Sequence, residues 1–132
     1  MFFEIRKELN EELINVLTAY SCAVYFVEAP ADQTLPYVVF SHVTGGVRWD
    51  TMSKDDDIYI QVNGYGKDLT VLSQMQEAIR ARLDNNPTCL GSDGLLDDGS
   101  FVYDITEQIN RTAKLGDIWQ FTLQFKITIQ KT

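Results

Sequence analysis

The sequence predicts an α+β fold: a mostly antiparallel β-sheet with two amphipathic helices packed on one side, in the order α-β-β-β-α-β-β. Three observations predict it. Residues 5–20 and 69–83 repeat apolar side chains at three- and four-residue steps, the period of a helix with one buried face. Residues 119–130 alternate without a break: Trp119, Phe121, Leu123, Phe125, Ile127 and Ile129 point one way and Gln120, Thr122, Gln124, Lys126, Thr128 and Gln130 the other, the period of a half-buried strand. Shorter apolar runs separated by turn residues supply the other strands, and long strands with one polar face suit an antiparallel sheet covered by helices on its other face. One domain over residues 1–132 is the natural partition, because a chain of this length buries roughly two thirds of its unfolded surface without staples.

In the first helix Ile5, Leu9, Leu13, Val16, Leu17 and Tyr20 form the apolar stripe, while Glu4, Glu8, Glu11 and Glu12 fill the opposite face. Residues 22–27 follow as a short strand and 28–35, with Pro30, as a loop. Pro36 precedes a strand over 37–43, at the margin where no ladder N–H is needed. Gly45-Gly46 breaks or bulges that strand, and the polar stretch 48–57, with Asp50, Asp55, Asp56 and Asp57, reads as a hairpin loop. The chain returns as a strand over 58–65, with Ile58, Ile60 and Val62 on one face. Gly64-Tyr65-Gly66-Lys67 turns it, and Asp68 is placed to cap the second helix. Leu69, Leu72, Met75, Gln76, Ile79 and Leu83 mark the buried stripe of that helix; Arg80 and Arg82 complement its C-terminal dipole, and Pro87 lies beyond its end. Residues 85–99 read as a long Gly/Asp-rich loop, Phe101, Tyr103 and Ile105 as alternating strand positions, and 112–116 as a turn into the last strand.

Composition removes several function classes. Hydrophobic residues at 45% with 23% charged describe a folded rather than a disordered chain. Eleven Lys+Arg against nineteen Asp+Glu give a net charge of -8 with no basic patch, which argues against specific nucleic-acid binding. The acid is spread evenly, ten residues in 1–66 and nine in 67–132, so there is no acidic tail. Cys22 and Cys89 lack metal spacing, and a single histidine leaves no Cys/His zinc site; Cys22, within an apolar run, reads as a small core residue. The first residues, Met-Phe-Phe-Glu-Ile-Arg-Lys-Glu, carry charges where a signal peptide is apolar, and no run approaches the ~18 apolar residues of a membrane span. Without secretion the triplet Asn110-Arg111-Thr112 has no meaning as a glycosylation site. The expected setting is a reducing cytoplasm.

No motif assembles an active site. Ser41 and His42 are neighbours in a strand and project to opposite faces, so they form no dyad, and His42 is the only histidine. Gly64-Tyr65-Gly66-Lys67-Asp68 lies between strand and helix but lacks the first glycine of a phosphate loop, and Asp68 would repel phosphate there. Neither Asp55-Asp56-Asp57 nor residues 93–99 follow the every-other-residue spacing of a calcium loop; both read as solvated charge. The expectation is a non-enzymatic protein with no catalytic residues, no metal and no cofactor. Two surfaces stand out as contacts instead. The outward face of the last strand, with Gln120, Gln124 and the lone charge Lys126, is polar but nearly uncharged, reading either as an interface or as a solvated central strand. In the 44–57 loop Arg48, Trp49 and Asp55 form the second candidate, since Trp and Arg are typical anchors of interfaces; an aromatic folded back on the sheet is the alternative for Trp49.

In this order the segments resemble the small tail-completion, or tail-terminator, proteins of long-tailed phages and prophages. The likeness begins at the helix over 5–20 and its following strand and acidic loop. It is strongest at Leu35-Pro36-Tyr37-Val38-Val39-Phe40, similar to that family's Leu-Pro-Tyr-Val strand opening. It continues through Ile58-Tyr59-Ile60-Gln61-Val62-Asn63-Gly64-Tyr65-Gly66, the helix segment Glu77-Ala78-Ile79-Arg80-Ala81-Arg82-Leu83 and the closing Trp119-Gln120-Phe121-Thr122-Leu123-Gln124-Phe125. It spans nearly the whole chain and rests on order and spacing more than on any single motif; residues 85–99 match nothing in it. The resemblance implies a homo-oligomeric ring, commonly a hexamer, that caps the head-proximal end of the tail tube. Such a cap stops polymerisation, contacts the tail tube protein and offers a surface to the head–tail connector protein. Assembly would take place in the host bacterial cytoplasm before incorporation into the virion tail, with no membrane involved. A neck or head–tail joining protein is the neighbouring reading within this class. From a different class, a dimeric α+β domain holding a small ligand would need a pocket between sheet and helices, and His42 is the liner that core or surface does not explain.

Overall fold

The strand with the unbroken alternation lies inside the sheet, not at its rim. In a computed structural model, which describes residues 2–43 and 55–130, strand β5 (Ile118–Gln130) pairs antiparallel with β3 (Asp55–Gly66) on one side and β4 (Phe101–Leu115) on the other. Beyond β3 lie β2 (Tyr37–Val43), antiparallel, and β1 (Ala23–Phe26), the one strand paired in parallel; the order is β1-β2-β3-β5-β4. The sheet is therefore mostly antiparallel, and with helices α1 (Phe2–Leu17) and α2 (Leu69–Leu83) the element order is the expected α-β-β-β-α-β-β.

One face of the sheet is closed by both helices. Phe121, Leu123, Phe125, Ile127 and Ile129 of β5 are fully buried together with Phe40, Ile60 and Val62 from the neighbouring strands. Onto them pack Ile5, Leu9, Leu13 and Leu17 of α1 and Leu72, Met75, Ile79 and Leu83 of α2. Each such side chain contributes roughly 1.5–3 kcal/mol by leaving water, so helical periodicity and strand alternation are satisfied by one common core. Asp68 caps α2 as its position predicts, its Oδ1 accepting from the backbone N–H of Thr70 at 2.9 Å and of Val71 at 3.4 Å. A short 3₁₀ turn, Thr18–Tyr20, ends α1 and is closed by Ser21 in the left-handed region at φ 52°.

Six sequence expectations are revised. Leu69 opens α2 before its stripe reaches the sheet and is 39% exposed. Arg80 and Arg82 do more than complement the helix dipole. Arg80 grips Glu107 of β4 with two bonds, Nε–Oε1 at 2.6 Å and Nη2–Oε2 at 3.2 Å, and Arg82 ties α2 to Glu12 of α1 at 2.5 Å. Phe101 and Tyr103 are exposed whereas Val102 and Ile105 are buried, because a bulge at Tyr103 shifts the phase of β4 by one residue. Residues 85–99 are not merely solvated loop: Cys89, Leu90 and Leu96 enter the core, and Gly91 N–H donates to Glu8 of α1. Asp55, Asp56 and Asp57 belong to β3, opposite Gln130, Ile129 and Thr128, instead of to a loop. The expected turn over 112–116 also shortens to Gly116 and Asp117, with Gly116 at φ 62°.

Two predictions follow from this packing. A Cβ at Gly64 would sit 2.1 Å from the ring of Phe121, which is fully buried, so Gly64→Ala is expected to lower stability by about 1–3 kcal/mol in urea unfolding. Cys89 is the buried thiol and Cys22 only half-buried, yet burial pushes Cys22 up to about 12 and Cys89 up to about 11 from the usual 9.0. Both should alkylate at pH 8 at least ~10-fold more slowly in the folded chain than in urea. Since their folded values are raised, the stability they add is complete below pH 9 and is lost as pH rises above it, visible as a falling urea midpoint.

Candidate functional site

The face of the sheet turned away from the helices is the candidate site, and strand register builds it. Along β5 the even-numbered residues meet Tyr65, Asn63, Gln61 and Tyr59 of β3: Gln120 faces Tyr65, Thr122 faces Asn63, Gln124 faces Gln61 and Lys126 faces Tyr59. On β4 the partners of Thr122 and Lys126 are Arg111 and Thr106. Neutral hydrogen bonds cross the strands. Thr122 Oγ1 donates to Asn63 Oδ1 at 3.0 Å and Gln120 Nε2 donates to the Tyr65 hydroxyl at 3.2 Å, while within β3 Gln61 Nε2 donates to the same Asn63 oxygen at 3.4 Å.

Central placement has a consequence for burial. Thr122 and Thr128 are short and flanked by strands on both sides, so they are 7% and 4% exposed although they face away from the core. Gln120, Gln124 and Lys126 are longer and remain half-buried. Toward β1 the face becomes aromatic. The rings of Tyr37 and Tyr65 stack at 4.9 Å, Tyr25 meets Tyr37 edge-on at 6.3 Å, and the Tyr25 hydroxyl bonds to Gln33 of the β1–β2 loop. Burial and the neighbouring Tyr37 hold the pKa of the Tyr65 hydroxyl above its ordinary value, so it is neutral at physiological pH. A shallow cleft of about 270 Å³ lies here, lined by Glu28, Tyr37, Ser41, Asn63 and Tyr65 among others.

The predicted contact residues fare differently. Gln120, Gln124 and Lys126 are brought together on this face. Asp55 starts β3 opposite Gln130, at the other end of the register from the Tyr65–Gln120 pair, about 33 Å away at strand rise. Arg48 and Trp49 lie outside the described residues. Ser41 and His42 diverge as adjacent strand residues do: Ser41 lines the cleft, and His42, opposite Ile60, is exposed. Phe40, Phe121 and Phe125 are fully buried between sheet and helices, and clefts of about 260 Å³ beside Tyr20, Pro36 and Leu72 and about 360 Å³ beside Arg6, Asn10 and Phe26 open at the margins of that layer. Among the described residues no three His, Cys, Asp or Glu side chains gather as a metal site, and no helix is long and apolar enough to cross a membrane. Sequence reading missed Tyr25, Tyr37, Asn63 and Tyr65; the signal was the alternation of Tyr37-Val39-Ser41 and Tyr59-Gln61-Asn63-Tyr65, legible once the helix-facing set is assigned.

This arrangement of strands and helices recurs in solved structures. A chain in the virion of a native gene transfer agent particle superposes with a TM-score of 0.63 over 89% of this chain and 84% of its own, at 14% identity. The two share a fold. A second solved structure overlaps 100% of this chain and 96% of its own length with a TM-score of 0.58, also at 14% identity. No family model matches the sequence, and no curated protein does.

If the face is held by backbone register more than by its long side chains, then replacing Gln120, Gln124 and Lys126 singly by Ala should shift stability by no more than about 0.5 kcal/mol. Thr122→Val, which removes a buried donor to Asn63, should cost about 1 kcal/mol in the same urea titration.

Proposed function

We propose that this chain is a non-enzymatic virion structural protein that caps the head-proximal end of a phage tail tube. It acts as a ring of identical subunits, six by the sequence resemblance, that stops tube polymerisation and presents a surface to the head–tail connector. Its place of action is the host bacterial cytoplasm during assembly and the virion tail afterwards. The observation that carries the reading is the acid-free, mostly uncharged middle of this sheet face. In a chain of net charge -8 the region around Gln120, Thr122, Gln124 and Asn63 is built mostly of uncharged hydrogen-bonding groups, with Lys126 and, opposite Thr122, Arg111 the charges among them and no acidic side chain. Packing such a face against another protein costs little desolvation of charge and leaves amides and hydroxyls to pair across the contact. The fold shared with a gene transfer agent virion chain supports the same reading, as does the sequence resemblance over most of the chain. Net acidity fits a ring through which DNA passes without binding, since like charge repels phosphate.

The test is tube length. Purified tail tube protein polymerising with this chain present should give tubes of limited length in electron micrographs, each bearing density at one end. Gln120→Glu with Gln124→Glu, which places charge on the face and leaves the core untouched, should reduce capping at least ~10-fold. Tubes that grow to the same length with and without the wild-type chain would sink the proposal.

A further inference from the structure

The two rims of the sheet are treated unequally by the chain, and the inequality points to a contact. Along the first half of β4 the outer backbone is already satisfied. Val102 N–H donates to Gly94 O at 2.7 Å, Ile105 O accepts from Asn85 N–H at 2.8 Å, and Glu107 N–H donates to Asp84 Oδ1 at 2.9 Å. Bulges at Tyr103 and Gln108 further interrupt that half as a template for pairing. Past the second bulge the protection stops. From Ile109 to Leu115 the pairing with β5 is regular, and among the described residues no segment hydrogen-bonds the outer backbone of this stretch. Residues 110–115 are all exposed, including Leu115 at 47%.

Alternation fixes which groups face out. Glu107, opposite Phe125, turns its N–H outward, and continuing by twos along β5 gives Leu123, Phe121 and Trp119, whose partners are Asn110, Thr112 and Lys114. Three amides and three carbonyls on one rim are thus open to a further strand.

Charge selects the occupant. Within 108–116 the only charged residues are Arg111 and Lys114, in a chain that is otherwise strongly acidic. Two copies of this rim paired about their common two-fold would gather both copies' Arg111 and Lys114 along one short seam, a concentration of like charge that opposes the symmetric dimer. The opposite rim of the sheet is complementary. Among the described residues β1 has no strand on its outer side, and over residues 22–36, which hold β1 and the loop after it, the only charges are Glu28 and Asp32. Strand sense agrees as well: β1 and β2 run together and each later neighbour reverses, so β4 is antiparallel to β1. Copies related by rotation about an axis along the strands therefore present β4 to β1 in the antiparallel sense.

We infer that the free stretch of β4, residues 109–115, pairs with the β1 rim of a second copy, joining the sheets head to tail. Such a contact is heterologous and propagates in one direction until it closes, which is how a ring of identical subunits arises. The inference deepens the proposed ring, and rests on it for closure though not for the contact itself.

Light scattering on a sizing column over a concentration series, together with hydrogen exchange, tests it. The wild-type chain should associate, and the amides of Asn110, Thr112 and Lys114 should exchange at least ~10-fold more slowly in the associated fraction than in dilute monomer. Arg111→Glu with Lys114→Glu should weaken association roughly tenfold or more, and adding Glu28→Lys with Asp32→Lys should restore it. Lys114→Pro, which deletes an outward N–H without touching the β5 ladder, gives a second route to the same loss, with circular dichroism as the check on folding. Association unchanged in both β4 variants would overturn the edge contact and leave tube capping standing. A wild-type chain that remains monomeric throughout, yet limits tube length, would overturn it too.

Discussion

The antiparallel register between β3 and β5 is the constraint on which the rest of the molecule depends. From Asp55 opposite Gln130 to Gly66 opposite Trp119 it runs without a bulge, and it fixes both faces of the sheet at once. A slip by one residue would turn Phe121, Leu123, Phe125, Ile127 and Ile129 toward water and bury the amides and hydroxyls in their place. The ring of Phe121 over Gly64 reinforces that register locally, because only a residue without Cβ leaves room for the ring there. Helix placement, core composition and the mostly uncharged face are all downstream of this pairing.

Around that axis the two margins of the sheet are built differently. On the β4 side the chain invests its irregular segments: residues 84–95 supply Asp84, Asn85 and Gly94 as partners for the outer backbone, while Leu90 and Leu96 seal the layer beneath. Arg80 and Glu107 add a two-bond ion pair between α2 and the same strand, and buried Gln76 bonds to Asn110 and Thr112. These contacts hold β4 rigidly through Thr112 from the helix side while its outer backbone beyond the second bulge stays open. A strand fixed on one side and free on the other is well suited to pairing, because little conformational entropy remains to be lost when a partner strand arrives.

In the proposed role, function rests on surfaces rather than on reacting groups. Side chains that usually signal chemistry are occupied or apart: Asp68 caps a helix, Ser41 and His42 turn to opposite faces, and both thiols are raised by burial. What distinguishes the molecule is where charge is missing. An acidic chain that keeps the middle of one sheet face free of acid and gathers two cations at the free end of one rim has three kinds of surface, suited to different partners.

The sequence by itself determined the element order, both helix stripes, the Asp68 cap and the buried set of β5. Each follows from local periodicity or from a residue's own backbone preference, and neither needs knowledge of distant segments. Tertiary structure alone decided that β5 is central, that Thr122 and Thr128 are buried on the polar face, and that residues 85–99 feed the core and shield a rim. The phase shift in β4 was invisible for the same reason: a bulge is imposed by the partner strand, and Phe101-Val102-Tyr103 reads equally well in either phase until that partner is known. The tyrosine cluster likewise joins β1, β2 and β3, brought together only by pairing. Local sequence specifies which face a residue takes within its own strand; which neighbours share that face, and whether they exclude water from it, is set by contacts between segments far apart in the chain.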